Sequence, residues 1–158
     1  MAKMTMNGFT ELEDKIAKLG TNADGIAKKV VRAGANPVAD EIRKNLEANI
    51  KDPSFVGKKG MGNMGLKGNY GKATGDLLDS LGISPAKIDR NGNINCKVGF
   101  EGYDRKGVPN ALKARAMESG TSTLRKRPFI RPAINKTRQK ALDEMSARFD
   151  EEIKIYAL

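Results

Sequence analysis

The sequence predicts an α+β fold with N-terminal helices, one kinked at Pro37, a small antiparallel sheet and a long C-terminal helix. Three patterns carry this. Apolar residues recur at helical spacing through residues 9–50, alternate at Ile94, Cys96, Val98 and Phe100, and return to helical spacing after Ala133. The length suits a single domain over residues 1–158, interrupted by a mobile Gly/Lys-rich loop at 51–73.

The first helix opens on Thr10-Glu-Leu-Glu13, which has the form of a capping box, with Phe9 ahead of it as a hydrophobic staple. Phe9, Leu12, Ile16 and Leu19 follow at helical spacing, and Gly20 predicts a stop. A second helix is expected from about Asn22–Asp24, with Ile26, Val30, Ala33, Val38, Ile42, Leu46 and Ile50 on its apolar face. Pro37 falls inside this pattern and has no amide to donate. The apolar face keeps its phase on both sides, so one helix with a kink is expected there.

Composition then changes. Residues 51–75 hold seven glycines and five lysines, anchored by Phe55, Val56, Leu66 and Tyr70. Ordering so much glycine costs chain entropy, so the segment is expected to stay mobile until a partner holds it. Gly60-Met-Gly-Asn-Met-Gly65 matches the dinucleotide fingerprint formally, but no strand precedes it and no helix follows. Gly68 to Thr74 has the wrong spacing for a phosphate loop. No nucleotide cofactor is expected.

Thr74-Gly-Asp76 leads into a short helical or turn segment through Leu77, Leu78 and Leu81. The runs Ile83–Ile88 and Ile94–Phe100 flank Asn91-Gly92, a strong hairpin signal. Pro85 confines the first strand to an edge or a bulge. The alternation turns Cys96 toward the core, which makes it an inert thiol rather than a nucleophile. A charged loop at 101–110 ends at Pro109, and Ala111 to Glu118 reads as a short helix closed by Gly120. Pro128 and Pro132 then bracket Phe129, Ile130 and Arg131, which predicts an extended, stiff segment until Pro132 starts a helix. That helix runs from about Ala133 to Tyr156, with Ile134, Ala141, Met145, Phe149, Ile153 (or Glu152) and Tyr156 on one face and charges on the other.

Composition also narrows function. The chain has no histidine and a single cysteine, which removes the commonest acid–base group, the commonest metal ligand and any intrachain disulfide. No cluster has zinc or EF-hand spacing, and the paired carboxylates Asp76/Asp79 and Asp150 to Glu152 sit on helical patterns. No enzyme, metal or cofactor is expected. The net charge of +10 is concentrated between residues 51 and 132, which suggests an anionic partner, either nucleic acid or an acidic protein face. Lys58, Lys59, Lys67 and Lys72, with Leu124-Arg-Lys-Arg127, suit phosphates in a salt-dependent, sequence-blind way. A non-specific basic nucleic-acid-binding protein is therefore the alternative reading. No apolar run is long enough to span a bilayer, and Met1 to Gly8 lacks a signal-peptide layout, so a cytoplasmic origin is expected.

Several segments together resemble a known family. Ala35-Asn-Pro-Val-Ala39 lies within the N-terminal helical region, and Thr74-Gly-Asp-Leu77 precedes the two-stranded segment. Glu118-Ser-Gly-Thr121 follows, then Arg127-Pro-Phe-Ile-Arg-Pro-Ala133 running into the last helix. In this order the chain resembles the small tailed-phage virion proteins typified by gene product ten of the lambdoid coliphage HK ninety-seven. Ser119 stands where members often carry an aromatic residue. The resemblance implies helices packed on a small antiparallel sheet, in a neck or tail-completion protein of a long-tailed phage. It implies assembly in the host cytoplasm and a place in the virion at the head–tail junction, as copies of the chain in a ring, often a hexamer. The neighbours it implies are head-closure proteins and tail-terminator or tail-tube proteins, with no membrane.

On that reading Glu118, Gly120, Thr121, Arg127, Pro128, Phe129 and Arg131 lie at or beside the ring contact. Lys58, Lys59, Lys67 and Lys72 face a partner or genomic DNA without sequence preference. The hairpin edge offers a neighbour a strand to add to. Whether Phe129 meets a neighbour or fills its own core is left open.

Overall fold

A computed structural model describes residues 8–51, 75–122 and 124–157. The expected mobile loop at 51–73, with Lys58, Lys59, Lys67 and Lys72, lies outside the described residues apart from Lys51. The elements are α1 (Gly8–Lys51), α2 (Asp76–Asp79), β1 (Leu81–Ile83), β2 (Lys87–Ile88), β3 (Ile94–Asn95), β4 (Val98–Phe100), α3 (Asn110–Ser119) and α4 (Ile130–Ala157). The α+β class is as the sequence predicts.

The break expected at Gly20 is absent, and α1 is one helix of 44 residues. The residues that signalled a new start bond back into it instead. Thr21 Oγ1 and Asn22 Nδ2 both donate to the carbonyl of Lys18, at 2.9 and 2.8 Å. An exposed glycine inside a helix costs only about 1 kcal/mol, too little to end an element anchored further along. The helix also continues through Pro37, which is buried. Losing one helical bond there is offset by the α4 contact, because α4 runs antiparallel along the same face. The pairs Asn45–Phe129, Lys136–Glu41 (2.7 Å) and Lys29–Glu152 (2.8 Å) mark the path. Midway the two helices approach so closely that a Cβ on Gly34 would lie 2.5 Å from Met145 Cγ.

The four short strands are two halves of one hairpin. β1 pairs with β4 in the register Leu81↔Phe100, Gly82↔Gly99, Ile83↔Val98, and β2 with β3 as Lys87↔Asn95, Ile88↔Ile94. Between the halves Ser84, Pro85 and Ala86 oppose only Cys96 and Lys97, which is the bulge expected at Pro85. Ser84 bridges the interruption. Its amide donates to Lys97 O and its hydroxyl accepts from Lys97 N, both at 2.8 Å. Cys96 faces α1, where its thiol meets Val31 O at 3.6 Å. Burial pushes that thiol up from its ordinary value, against the opposing charge of Arg32.

The same turn closes both ends of the ribbon. Asp89 Oδ1 accepts from the amides of Asn91 and Asn93 at 2.8 and 2.9 Å, with Gly92 at φ 80°. Beyond β4, Asp104 Oδ1 accepts from Lys106 and Val108 at 2.8 and 2.7 Å, with Gly107 at φ 76°. An aspartate satisfies two amides while glycine takes the left-handed position.

The main core sits toward one end of the helix pair. Ile42 and Leu46 of α1 pack with Leu81, Ala114, Phe129 and Ala133, flanked by Val38, Leu77, Val98, Phe100 and Met117. At the other end the N-terminal half of α1 and the C-terminal half of α4 lie together, pinned by Glu152. That buried carboxylate takes Lys29 at 2.8 Å and Arg148 at 2.6 Å.

Candidate functional site

The sequence pointed to the segment joining α3 to α4, and one carboxylate organises it. Glu118, in the last turn of α3, accepts from Phe129 N at 2.7 Å and Ile130 N at 2.9 Å through Oε2, and from Arg131 N at 3.0 Å through Oε1. The next residue, Pro132, has no amide to satisfy. The first turn of a helix leaves its amides without intrahelical partners, and here each one up to Pro132 is provided for. The negative charge also faces the positive end of the α4 dipole. This is why α4 begins at Ile130 and not near Ala133, as the proline pattern predicts. Pro132 lies inside the first turn rather than opening it.

The chain between these helices is folded to bring the ends together. Gly120 ends α3 at φ 76°, ψ 171°, with its amide on Ala116 O at 2.9 Å. A Cβ there would stand 2.9 Å from Lys126 N and 3.1 Å from Leu124 O, so glycine is needed for both torsion and space. Thr121 closes the turn: its amide donates to Leu124 O and its hydroxyl accepts from Leu124 N, each at 2.9 Å. Arg127 N then returns to Met117 O at 2.7 Å. From α1, Asn45 Nδ2 donates to Phe129 O at 3.2 Å and Asn49 Nδ2 to Arg127 O at 3.4 Å. Arg127 Nη1 reaches Asn49 O at 3.5 Å.

Partial burial pushes the Glu118 carboxyl up, but the amides of Ile130, Arg131 and Phe129 and the charge of Arg131 outweigh it. The group therefore stays ionised below the ordinary glutamate range. A carboxylate already holding three donors is poorly placed to take a proton from a substrate. This arrangement fixes backbone.

Phe129 is fully buried, edge-on to Phe100 with ring centroids 5.9 Å apart and planes at 75°. The question left open by the sequence resolves toward the core, and the side chain is not presented to a neighbour. Glu118, Gly120 and Arg127 are part of the same internal joint. Thr121, Pro128 and Arg131 are exposed beside it. Asn45 and Asn49 were missed in the sequence. Their signal is faint: two amides one helical turn apart, next to Leu46 and Ile50 on a face otherwise read as core.

A second surface lies at the far end. Leu19, Ala23, Ile26, Ala27, Val30 and Val31 of α1 with Phe149 and Ile153 of α4 line an open groove of about 420 Å³ without a charged side chain. Phe149 is 48% exposed, and Ile16, one turn beyond Leu19, is 60% exposed. Among the described residues no group of His, Cys, Asp or Glu is placed to hold a metal ion, and no helix is long and apolar enough to cross a membrane.

The family model described as "HK97-gp10_like: Bacteriophage HK97-gp10, putative tail-component" matches residues 10–120. No curated protein and no solved structure matches.

Proposed function

The chain belongs to the HK97-gp10-like family of phage tail components, and from that premise we propose that it is a ring-forming structural protein of the head–tail junction. The observation that carries the self-assembly part is the apolar surface at the open end of α1 and α4. A groove of about 420 Å³ with no charged lining, beside the exposed Ile16 and Phe149, is an apolar surface that a neighbouring subunit can cover. A ring, taken here as a hexamer, covers such surfaces through contacts in which two different faces of the subunit meet. The ring then lies between head-closure proteins and tail-terminator or tail-tube proteins, as a non-catalytic part of the virion.

The test has two parts. Sedimentation velocity of the purified chain over a concentration series should show association beyond a monomer. A phage lacking the gene should leave unjoined heads and tails in electron micrographs. Normal particles without the protein would end the junction reading.

The charge of +10 favours a second role, non-specific contact with DNA. As an assembly protein the chain should lose duplex binding at moderate salt. Retention of duplex at physiological salt with a steep salt slope would make nucleic-acid binding its main function.

A further inference from the structure

Gly82 and Gly99 are paired directly across β1 and β4. Neither has a positive φ, and a Cβ on either would meet no described atom within 4 Å. Glycine weakens a strand, and here neither torsion nor crowding among the described residues asks for it. A bare stretch of ribbon of this kind suits another chain approaching closely. Alternation places Asn95, Lys97 and Gly99 on the face away from Cys96, Val98 and Phe100, with Lys87 across from Asn95. Lys87 and Lys97 are exposed, as is Arg90 on the adjoining turn. The bare strip therefore has a positive border.

A matching surface lies on α4. Asp143, Glu144, Asp150 and Glu151 are all exposed and, at one- and two-turn spacing, surround the exposed Ala147 on one face. Glu144 and Asp150 make no ion pair among the described residues. Asp143 accepts from Gln139 and Glu151 pairs with Arg148, which leaves Glu144 and Asp150 as the unpaired charges of this face. Ala147, a small residue at the centre of the face, permits close approach.

We infer that the Gly82–Gly99 face of the ribbon seats the acidic face of α4 from a second copy of this chain, an inference that rests on the ring reading above. Ribbon and helix are different surfaces, so the contact is head-to-tail, the kind that closes a ring. A nucleic-acid duplex is the weaker occupant. Three cations around a strip without side chains offer few phosphate contacts, whereas the carboxylates lie on the molecule itself.

Sedimentation velocity and thermal melts of the full chain test this. Gly99→Val should melt at the wild-type temperature or higher, since a β-branched residue suits an open strand position, yet associate at least tenfold more weakly. Lys87→Glu/Lys97→Glu and Glu144→Lys/Asp150→Lys should each fail to associate alone. Mixed one to one they should co-assemble, because each then supplies the charge the other lacks. If these variants associate like wild type, the inference is overturned and the ring stands. If wild type stays monomeric at every concentration, ring and inference fall together. A lowered melting temperature for Gly99→Val means the chain covers this face itself, and that also overturns it. So does a lysine double variant that loses duplex DNA but still self-associates.

Discussion

Glu118 holds the amide of Phe129 at 2.7 Å, so the last turn of α3 and the first of α4 share one carboxylate. The aromatic ring attached to that amide is itself fully buried. Position of the core aromatic and start of the long helix are thus set by the same side chain.

Replacing Glu118 with alanine should cost about 1–3 kcal/mol, the range for a lost cap or charge-assisted hydrogen bonds. Glu118→Gln keeps acceptor capacity without the charge and should recover part of the loss. Urea midpoints of the two variants check the order. Equal stability to wild type in both would mean that water serves the α4 amides as well.

Gly120 and Gly25 should respond to alanine with opposite signs. At Gly120 the new Cβ meets Lys126 N in a torsion reserved for glycine, which should cost about 1–3 kcal/mol. At Gly25, an exposed position inside α1 with nothing described within 4 Å, alanine should stabilise by about 0.5–1 kcal/mol. Thermal melts of both single variants separate the cases.

Phe129→Ala should destabilise the monomer by about 3–5 kcal/mol, the cost of emptying a buried aromatic site. Phe149→Ala removes a ring that is 48% exposed and should cost much less. A Phe129 variant that folds normally but fails only in assembly would return this residue to the subunit contact.

Acid should unfold the protein through four carboxylates, one of them Glu41, which the hydrogen bond from Lys136 lowers. Lys113, followed by the amides of Val108 and Lys106, holds Asp104 down to about 2. Lys29 first, then Arg148, lowers Glu152, and the amides named above lower Glu118 against its burial. Each folded value lies below its unfolded one, so each group contributes stability that is full above the ordinary carboxylate range, about 4, and is lost as pH falls toward the folded value. Melting temperature should be flat from pH 7 to about 5 and then drop steadily toward pH 2. Glu118→Gln should flatten part of that drop.

Cys96 should react slowly with iodoacetamide at pH 8 in the native protein and quickly in urea, because burial holds its thiol protonated. Equal rates would mean that the contact with Val31 O is open in solution.

Much of the architecture was legible because it rests on local signals. Asn91-Gly92 gave the hairpin, Pro85 its bulge and Gly120 the end of α3, each through a torsion that few residues adopt. What escaped depends on distant residues. Gly20 reads as a stop by propensity alone, yet the α4 contact further along decides the length of α1. Pro132 reads as a first helical residue until a carboxylate from another helix extends α4 backward to Ile130. In the segment 127–133 the amides of Phe129, Ile130 and Arg131 are held by Glu118 and the ring of Phe129 packs on Phe100, contacts with residues distant in sequence. Pattern alone does not reveal which way a proline-bracketed phenylalanine turns.

The single span of α1 has a mechanical consequence. At 1.5 Å per residue, the stretch from Ile42 back to Gly8 reaches about 50 Å from the core. A tilt of about 5° at the core end therefore carries the opposite tip through about 4 Å, by the same rise. Because α4 is tied to the helix as far out as Lys29 and Glu152, the two move as one arm, and a small adjustment at the joint of Glu118 and Phe129 would be delivered, magnified, to whatever rests against the far end.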